Sequence, residues 1–547
     1  MSTSASADHH PLSHSSFNRR SMLRGAAGMT AATIAGMTFP RSMTAQTPVG
    51  EIPPKELSGT AIVAMSGEPQ SFQPNYQADD YLFAIACNLY NNLFGLDNDY
   101  NVIPDLATGY EVAEDGLTIT VPLNPLAIWH DGTPVTSADV KYTLEQIVTD
   151  PAATSSSLLS ALSTVDTPDE HTAVLNLSRP SASIIGFLAW YGVAILPAHI
   201  YEGTDWTTNE ANLAPIGSGP FKFVSYEPGS VVELEANTEY FGEGPYLERL
   251  RYSIIPDPNT QVQSLLNGEI DFVVGVPNAQ VPNLEANADL VVAPKIYPSP
   301  LYFGFNINHA PLDNVDVRRA IGMAVDRDQI VTTALGGFGT PEDRYYPSVI
   351  EWASNPDAVA PALDIDGANA LLDNAGFPLD GDSRFAIRMY LFTGWQELGD
   401  TATVLKEQLS AIGVDVELVL LEIASWEDQV RAGESDLALL GGFQGPDPAN
   451  LAIRWGTGTE LNLWGYSNTI FDDLLVQGDS AATQEDRAAL YYEAQAILAE
   501  DVPGIPLALQ TSFSAYTNRL SGVWLDSNDP ASNLVGMNRF NLTKLAE

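Results

Sequence analysis

Few side chains in this sequence are spaced to do covalent chemistry. Its 547 residues hold seven histidines and one cysteine. His9, His10 and His14 lie at the N-terminal end, and His130, His171, His199 and His309 are scattered singly. A zinc hydrolase needs two histidines one helical turn apart around a glutamate, and a serine hydrolase needs its serine on a glycine-flanked elbow. Neither H-E-x-x-H nor G-x-S-x-G occurs. Cys87, between Ala86 and Asn88, reads as a small buried hydrophobe with no activating partner, and as the only cysteine it can form no internal disulfide. Asp79-Asp80 and Asp472-Asp473 are paired acids, more simply read as turns and helix starts. The enzyme class that missing motifs leave open is a hydrolase working through carboxylates alone.

One glycine-rich stretch, P-I-G-S-G-P at 215–220, has to be tested as a phosphate cradle. Such a loop needs a helix N-terminus directly behind it. Here Pro220 is followed by Phe221 and Phe223, then Glu227-Pro228-Gly229 and an apolar run at 231–234, which predicts a hairpin. The glycines are structural on this reading.

The surrounding elements are legible from period and punctuation. Leu117, Ile119 and Val121 alternate with polar residues as a half-buried strand does, and His130-Asp131-Gly132 supplies a turn. Thr136 with Asp139 three residues on forms a capping box, after which Val140, Leu144, Ile147 and Val148 share a helical face. A strand is predicted over 60–65, an apolar helix over 87–94, and a second apolar run over 184–197. Two similar units recur far apart: a helix over 262–267 stops at Gly268 and leads into a strand at 272–274, and a helix over 426–432 stops at Gly433 and leads into a strand at 437–440. Two α/β lobes with a cleft between them follow from this repetition.

Composition narrows the partners. The formal net charge is −45, from 24 basic and 69 acidic residues, which repels phosphate backbones and makes nucleic acid an unsuitable partner. Lysine is confined to Lys55, Lys141, Lys222, Lys295, Lys406 and Lys544. An acidic, lysine-poor surface points to high-salt surroundings, where the Debye length falls to about 3 Å at 1 M. At the N-terminus, Asn18-Arg19-Arg20-Ser21-Met22-Leu23-Arg24 and the mildly apolar run 25–38 form a twin-arginine export pattern. That run is shorter than the roughly 20 apolar residues of a membrane span. Cleavage is expected near Ala45, followed by a Pro-rich linker over 46–56 and a soluble, monomeric mature protein.

The segment W-H-D-G-T-P-V-T-S-A-D-V at 129–140 resembles the signature of extracytoplasmic solute-binding proteins of the peptide and nickel type, which feed ABC importers. The resemblance continues through P-I-G-S-G-P-F-K-F-V at 215–224, I-P-D-P-N-T at 255–260, G-E-I-D-F at 268–272, the stretch 312–330 with Val317-Arg318-Arg319-Ala320-Ile321, Ala375-Gly376-Phe377, and L-S-A-I-G-V-D-V at 409–416. It implies an α/β, two-lobed periplasmic-binding-protein fold of type II, in the large class with an extra subdomain. Residues 57–96, 206–299 and 506–547 would form lobe I, 97–205 the subdomain and 300–505 lobe II. Residues 129–140 would then be scaffold, with Asp131-Gly132 a turn.

The same resemblance implies where a solute would sit. In the family a loop after a lobe II strand contacts the ligand, and here it spans 441–448, with Phe443, Gln444, Gly445 and Asp447. Related peptide receptors carry near its start an aspartate that pairs with the peptide's ammonium group; that position falls at Gln444, an amide that cannot form the charge-assisted pair. Phe72, Trp395, Trp464 and Tyr466 are candidate aromatic walls, each equally readable as core packing, and Arg454 could hold a carboxylate bidentately or sit in a salt bridge. The implied function is capture, without chemistry or cofactor, of a peptide or another small solute such as an opine, an oligosaccharide or an N-blocked peptide. The solute would pass to an ABC permease and ATPase complex, after export of the receptor by the Tat machinery to the periplasm. Nickel or haem carriage would need converging ligands, which scattered histidines do not supply.

Overall fold

The computed structural model describes residues 42–44, 52, 55–77, 80–97, 101–189, 192–445, 447–459, 461–523 and 539–545. The twin-arginine pattern, Ala45, most of the 46–56 linker and Asp79 lie outside them. Strand β1 (Ser42–Thr44) is followed by β2 (Thr60–Met65), where the sequence places it. The helix expected over 87–94 starts earlier and stops earlier, as α1 (Asp80–Leu89). Residues 94–96 form β3 (Phe94–Leu96), paired with β4 (Val102–Pro104). The physical cause is the Asp105 carboxylate, which takes the side-chain amide of Asn91 at 2.6 Å and the backbone N–H of Asn92 at 3.1 Å. It thereby pulls the chain out of the helix.

Next come β5 (Gly109–Val112), β6 (Thr118–Pro122), helix α2 (Ser137–Thr149), β7 (Leu162–Asp169) and β8 (Thr172–Leu177). The strands form an antiparallel sheet in the order β1-β5-β6-β8-β7, and α2 packs against β7 and β8 through the buried Val140, Leu144 and Ile147. The N-terminus of α2 is fixed as its sequence suggests. Asp139 reaches back to the Thr136 N–H at 2.8 Å and also accepts the Ala198 N–H at 2.9 Å. Gly132 completes its turn at φ 88°, with its N–H on the Trp129 carbonyl.

The remainder builds one large sheet. β9 (Phe221–Glu227) and β10 (Val231–Ala236) make the expected hairpin; then follow β11 (Arg249–Ile254), α3 (Pro258–Leu266), β12 (Phe272–Val274) and β13 (Leu290–Phe305). After β14 (Gly339–Pro341) come β15 (Phe385–Phe392), α4 (Gln396–Ser410), β16 (Val414–Leu421), α5 (Ile423–Arg431), β17 (Leu437–Gly441), α6 (Thr469–Ser480), α7 (Gln484–Asp501) and β18 (Gly504–Thr517). The order is β16-β15-β17-β13-β18-β12-β2-β11-β10-β9, with β14 beside β18. Gly268 and Gly433, at φ 72° and 75°, end the two helices that precede β12 and β17, so the repeated unit read from sequence is present in both halves.

β13 and β18 are the strands that cross between halves. Leu290 to Ile296 lies opposite Thr517 to Thr511, and Pro300 to Gly304 opposite Leu509 to Gly504. The ladder breaks at Tyr297, Pro298 and Ser299, where prolines remove donors. On one side of the break β18 meets β12, and on the other β13 meets β17. One buried cluster collects members from Leu301 to Ala508, and we call that body lobe II. A second cluster runs without interruption from β2, β10 and β11 into the five-stranded sheet, and a small third one joins Val262, Leu265 and Phe513. Together these form lobe I and its subdomain, which share a core.

Candidate functional site

The loop that leaves β17 is pinned residue by residue. Trp395, half-buried just ahead of α4, lays its ring over Gly441, where a Cβ would lie 2.6 Å from the ring edge. A Cβ on Gly442 would meet the Arg454 guanidinium at 2.5 Å, so only glycine lets that cation approach the chain. Phe443 leaves its own lobe and buries its ring in the core shared by lobe I and the subdomain. The Gln444 N–H donates to the Pro298 carbonyl at 2.8 Å, tying the loop to the break in β13. Its side chain is 5% exposed, and its Oε1 has no hydrogen-bond partner among the described residues. Gly445, at φ 68°, offers its carbonyl to the Tyr346 hydroxyl at 2.8 Å.

Asp447 is committed within lobe II. Both of its carboxylate oxygens lie 2.8 Å from Nη2 of Arg487, and Oδ1 also accepts the Ala449 N–H at 3.0 Å. Arg454, carried on the short helix Leu451–Trp455, is different. It is 6% exposed, donates to the Tyr302 hydroxyl at 3.1 Å and the Phe443 carbonyl at 2.9 Å, and lies 5.7 Å from the Tyr302 ring centre. It forms no ion pair among the described residues. A buried guanidinium with donors to spare and no carboxylate is suited to a carboxylate brought from outside.

The other aromatic candidates have different surroundings. Trp464 is 1% exposed beneath β13, where a Cβ on Gly304 would overlap its ring, and it packs against Tyr302 and Trp455. Tyr466 donates to Asp501 at 2.7 Å, and burial, followed by that bond, pushes its phenol well above the usual range. Phe72 is fully buried in lobe I against Phe223 and Tyr226. The structure thus gathers Trp395, Phe443, Gln444, Gly445 and Arg454 at the end of β17, with Trp464 linked to them through Tyr302, while Phe72 has no described ring contact there.

Sequence reasoning missed Tyr302, Tyr346 and Arg487, which hold the loop from distant elements, and the Tyr297-Pro298 break that receives Gln444. Only the last carried a signal, the prolines of Y-P-S-P within an apolar strand. Tyr297 has its phenol pushed up to about 12 by burial. Elsewhere, a cavity of about 270 Å³ where lobe I meets the subdomain is lined by Cys87, Tyr240, Asp105 and Arg539, and Asp105 and Arg539 are already paired with each other at 2.9 Å. Burial pushes the Cys87 thiol up to about 12, which leaves it unreactive. Among the described residues no group of three or more His, Cys, Asp or Glu could hold a metal ion, and no helix is long and apolar enough to cross a membrane.

Known proteins agree with this geometry. The sequence profile of the bacterial extracellular solute-binding proteins, family 5 Middle, matches residues 101–462. The glutathione-binding protein GsiB of Salmonella typhimurium LT2 is 27% identical over 490 residues, covering 85% of this chain and 91% of the relative. Among solved structures, the binding protein AgaA from A. tumefaciens R10 in complex with agropinic acid superposes with a TM-score of 0.79 at 28% identity, covering 89% of this chain and 99% of the other. The oligopeptide-binding protein AppA from Bacillus subtilis, in complex with a nonapeptide, gives 0.80 at 25% identity, covering 90% and 100%. A profile match over most of the chain, on two α/β lobes joined by crossing strands, makes this protein a member of the bacterial extracellular solute-binding proteins, family 5, the solute receptors of ABC importers.

Proposed function

We propose that the solute is small, carries a carboxylate and presents no free ammonium group to the loop after β17, as an N-blocked peptide or an opine would. The observation that carries this reading is the buried Gln444 amide, with an unpartnered Oε1, on the loop that the unpaired guanidinium of Arg454 holds from the next helix through the Phe443 carbonyl. An ammonium group would find no counter-charge at Gln444, whereas an amide or hydroxyl donor satisfies Oε1 and a carboxylate satisfies Arg454. That a relative binds glutathione and a structural neighbour holds agropinic acid supports the carboxylate; glutathione also carries a free ammonium group and so lends nothing to the reading of Gln444.

Capture would need no bond-making step. A solute that binds the closed form better shifts the lobe equilibrium by its differential affinity, and a micromolar binder has about 8 kcal/mol to divide between closure, desolvation and contacts. Mass spectrometry of what copurifies with the exported protein, repeated on Gln444→Asp, tests the assignment. Loss of the native solute, with gain of free-amino peptides, is expected; the same bound species in both would remove Gln444 from the site.

Export through the twin-arginine pathway is part of the same proposal, supported by Arg19-Arg20 ahead of a weakly apolar run. Replacing both with lysine should retain the protein inside the cell. Normal export of that variant would reject the assignment.

A further inference from the structure

We propose that Arg487 is a positioning residue that couples the loop after β17 to the contact between lobe II and the subdomain, so that seating a solute and closing the lobes are one event. The inference rests on that loop being the solute site. Arg487 lies on α7 with its guanidinium between the rings of Trp352 and Tyr491, at 5.4 and 5.5 Å. One edge holds the loop: Nη2 meets both oxygens of Asp447 at 2.8 Å. The other holds the last turn of α6, where Nε donates to the Gly478 carbonyl at 3.0 Å. That turn also lies flat on Tyr491, since a Cβ on Gly478 would come within 2.9 to 3.1 Å of the ring. One rigid, planar group therefore sets the distance between loop and helix end, with five donors and little freedom.

The next residue, Asp479, reaches the subdomain. Its carboxylate accepts the Ser183 hydroxyl at 2.6 Å, the Ser183 N–H at 3.0 Å and Nη1 of Arg179 at 2.7 Å. Its backbone carbonyl accepts the Ala182 N–H at 2.8 Å, and the Ser480 hydroxyl donates to the Pro180 carbonyl at 2.9 Å. Asp479 and Ser183 are 5% and 1% exposed, so the bonds between them are made out of water, where each partner depends on position, while Arg179 stays partly exposed. They join parts of the chain some three hundred residues apart, and they exist only while lobe II faces the subdomain. A loop displaced by a solute moves Asp447, and through Arg487 it moves the residue that carries this contact. Asp447, Arg487, Gly478 and Asp479 form a continuous chain of direct bonds, the kind of network through which two sites can bias a common equilibrium.

The test is hydrogen exchange at the Ala182 and Ser183 amides in the solute-free protein, comparing wild type with Asp447→Asn and Arg487→Lys. Both variants keep the volume of the native side chain and leave Asp479 untouched. Exchange at the two amides is expected to rise at least tenfold in each variant, with the β15–β16 ladder of lobe II unchanged as internal reference. Unchanged rates at Ala182 and Ser183, or an equal rise in the reference ladder, would overturn the proposal, since Arg487 would then either not communicate or merely stabilise its lobe. A second arm adds agropinic acid to the wild type and follows the Gln444 amide. Its failure to protect Gln444 counts against the solute reading alone, because the coupling is judged on the solute-free rates.

Discussion

Gly217 donates its N–H to Nδ1 of His130 at 3.1 Å, and the His130 N–H returns a bond to the Gly217 carbonyl at 2.8 Å. Nε2 of the same ring faces the Gly219 carbonyl at 3.0 Å, so the ring is held as the neutral tautomer protonated at Nε2. The two most recognisable stretches of the sequence, W-H-D-G-T-P and P-I-G-S-G-P, are thus two sides of one joint between subdomain and lobe I.

A pH dependence follows. Burial pushes His130 down to about 4, below its ordinary 6.5, despite the bond to Gly219. The unfolded chain then binds a proton that the folded one refuses. The contribution is fully present above about pH 6.5 and is lost as pH falls from 6.5 to 4, by up to about 3 kcal/mol. His130→Gln keeps one acceptor and one donor without the titration. Urea unfolding at pH 7.5, 5.5 and 4.5 should show a shallower decline for the variant; matching slopes would acquit the histidine.

Two glycines of this joint should differ sharply. A Cβ on Gly217 would overlap the Leu89 carbonyl, backbone against backbone, so Gly217→Ala should cost about 3 kcal/mol or leave no folded protein. Gly132 has nothing within 4 Å of its Cβ position and carries only its φ of 88°, so Gly132→Ala should cost about 1 kcal/mol. Thermal melts of the pair decide this. Equal losses would mean that the turn, rather than the contact, sets the requirement.

These contrasts show where sequence was informative. Gly268, Gly433, the Thr136–Asp139 cap and the hairpin after Pro220 are local devices, readable because the residue and its structural consequence lie within a few positions. The end of α1 is not legible because Asp105, outside the segment, takes Asn91 and Asn92 after the helix stops. The candidate loop is named by resemblance alone, and its supports are hidden from the sequence. Arg487 lies forty residues from Asp447 and Tyr302 some one hundred and fifty from Arg454, separations over which periodicity carries no information. The aromatic candidates divided for the same reason: composition cannot tell a ring beneath Gly304, as Trp464 is, from one half-open beside Gly441, as Trp395 is.

Salt should stabilise the fold. With 69 acidic against 24 basic residues, the net charge of −45 makes the folded chain repel itself, and raising NaCl from 0.1 to 1 M shortens the Debye length from about 10 to about 3 Å. The exposed pairs, such as Arg431 with Glu427, are individually worth little and lose little on screening. The melting temperature should rise by several degrees across that range. A flat or falling profile would reject adaptation to high salt.

Arg454 should separate affinity from stability. Its guanidinium is buried without a counter-charge among the described residues, a state that costs the empty receptor several kcal/mol of desolvation. Arg454→Gln removes that cost and keeps a donor for the Phe443 carbonyl or the Tyr302 hydroxyl. The solute-free variant should therefore melt no lower than the wild type. A solute of the proposed carboxylate class, deprived of a charge-assisted pair, should bind at least 30-fold more weakly, which corresponds to about 2 kcal/mol. An analogue with the carboxylate replaced by an amide should lose little between the two proteins. Calorimetric titration of both ligands against both proteins closes the cycle, and an equal loss for the two ligands would assign Arg454 to holding Phe443 in place rather than to the solute.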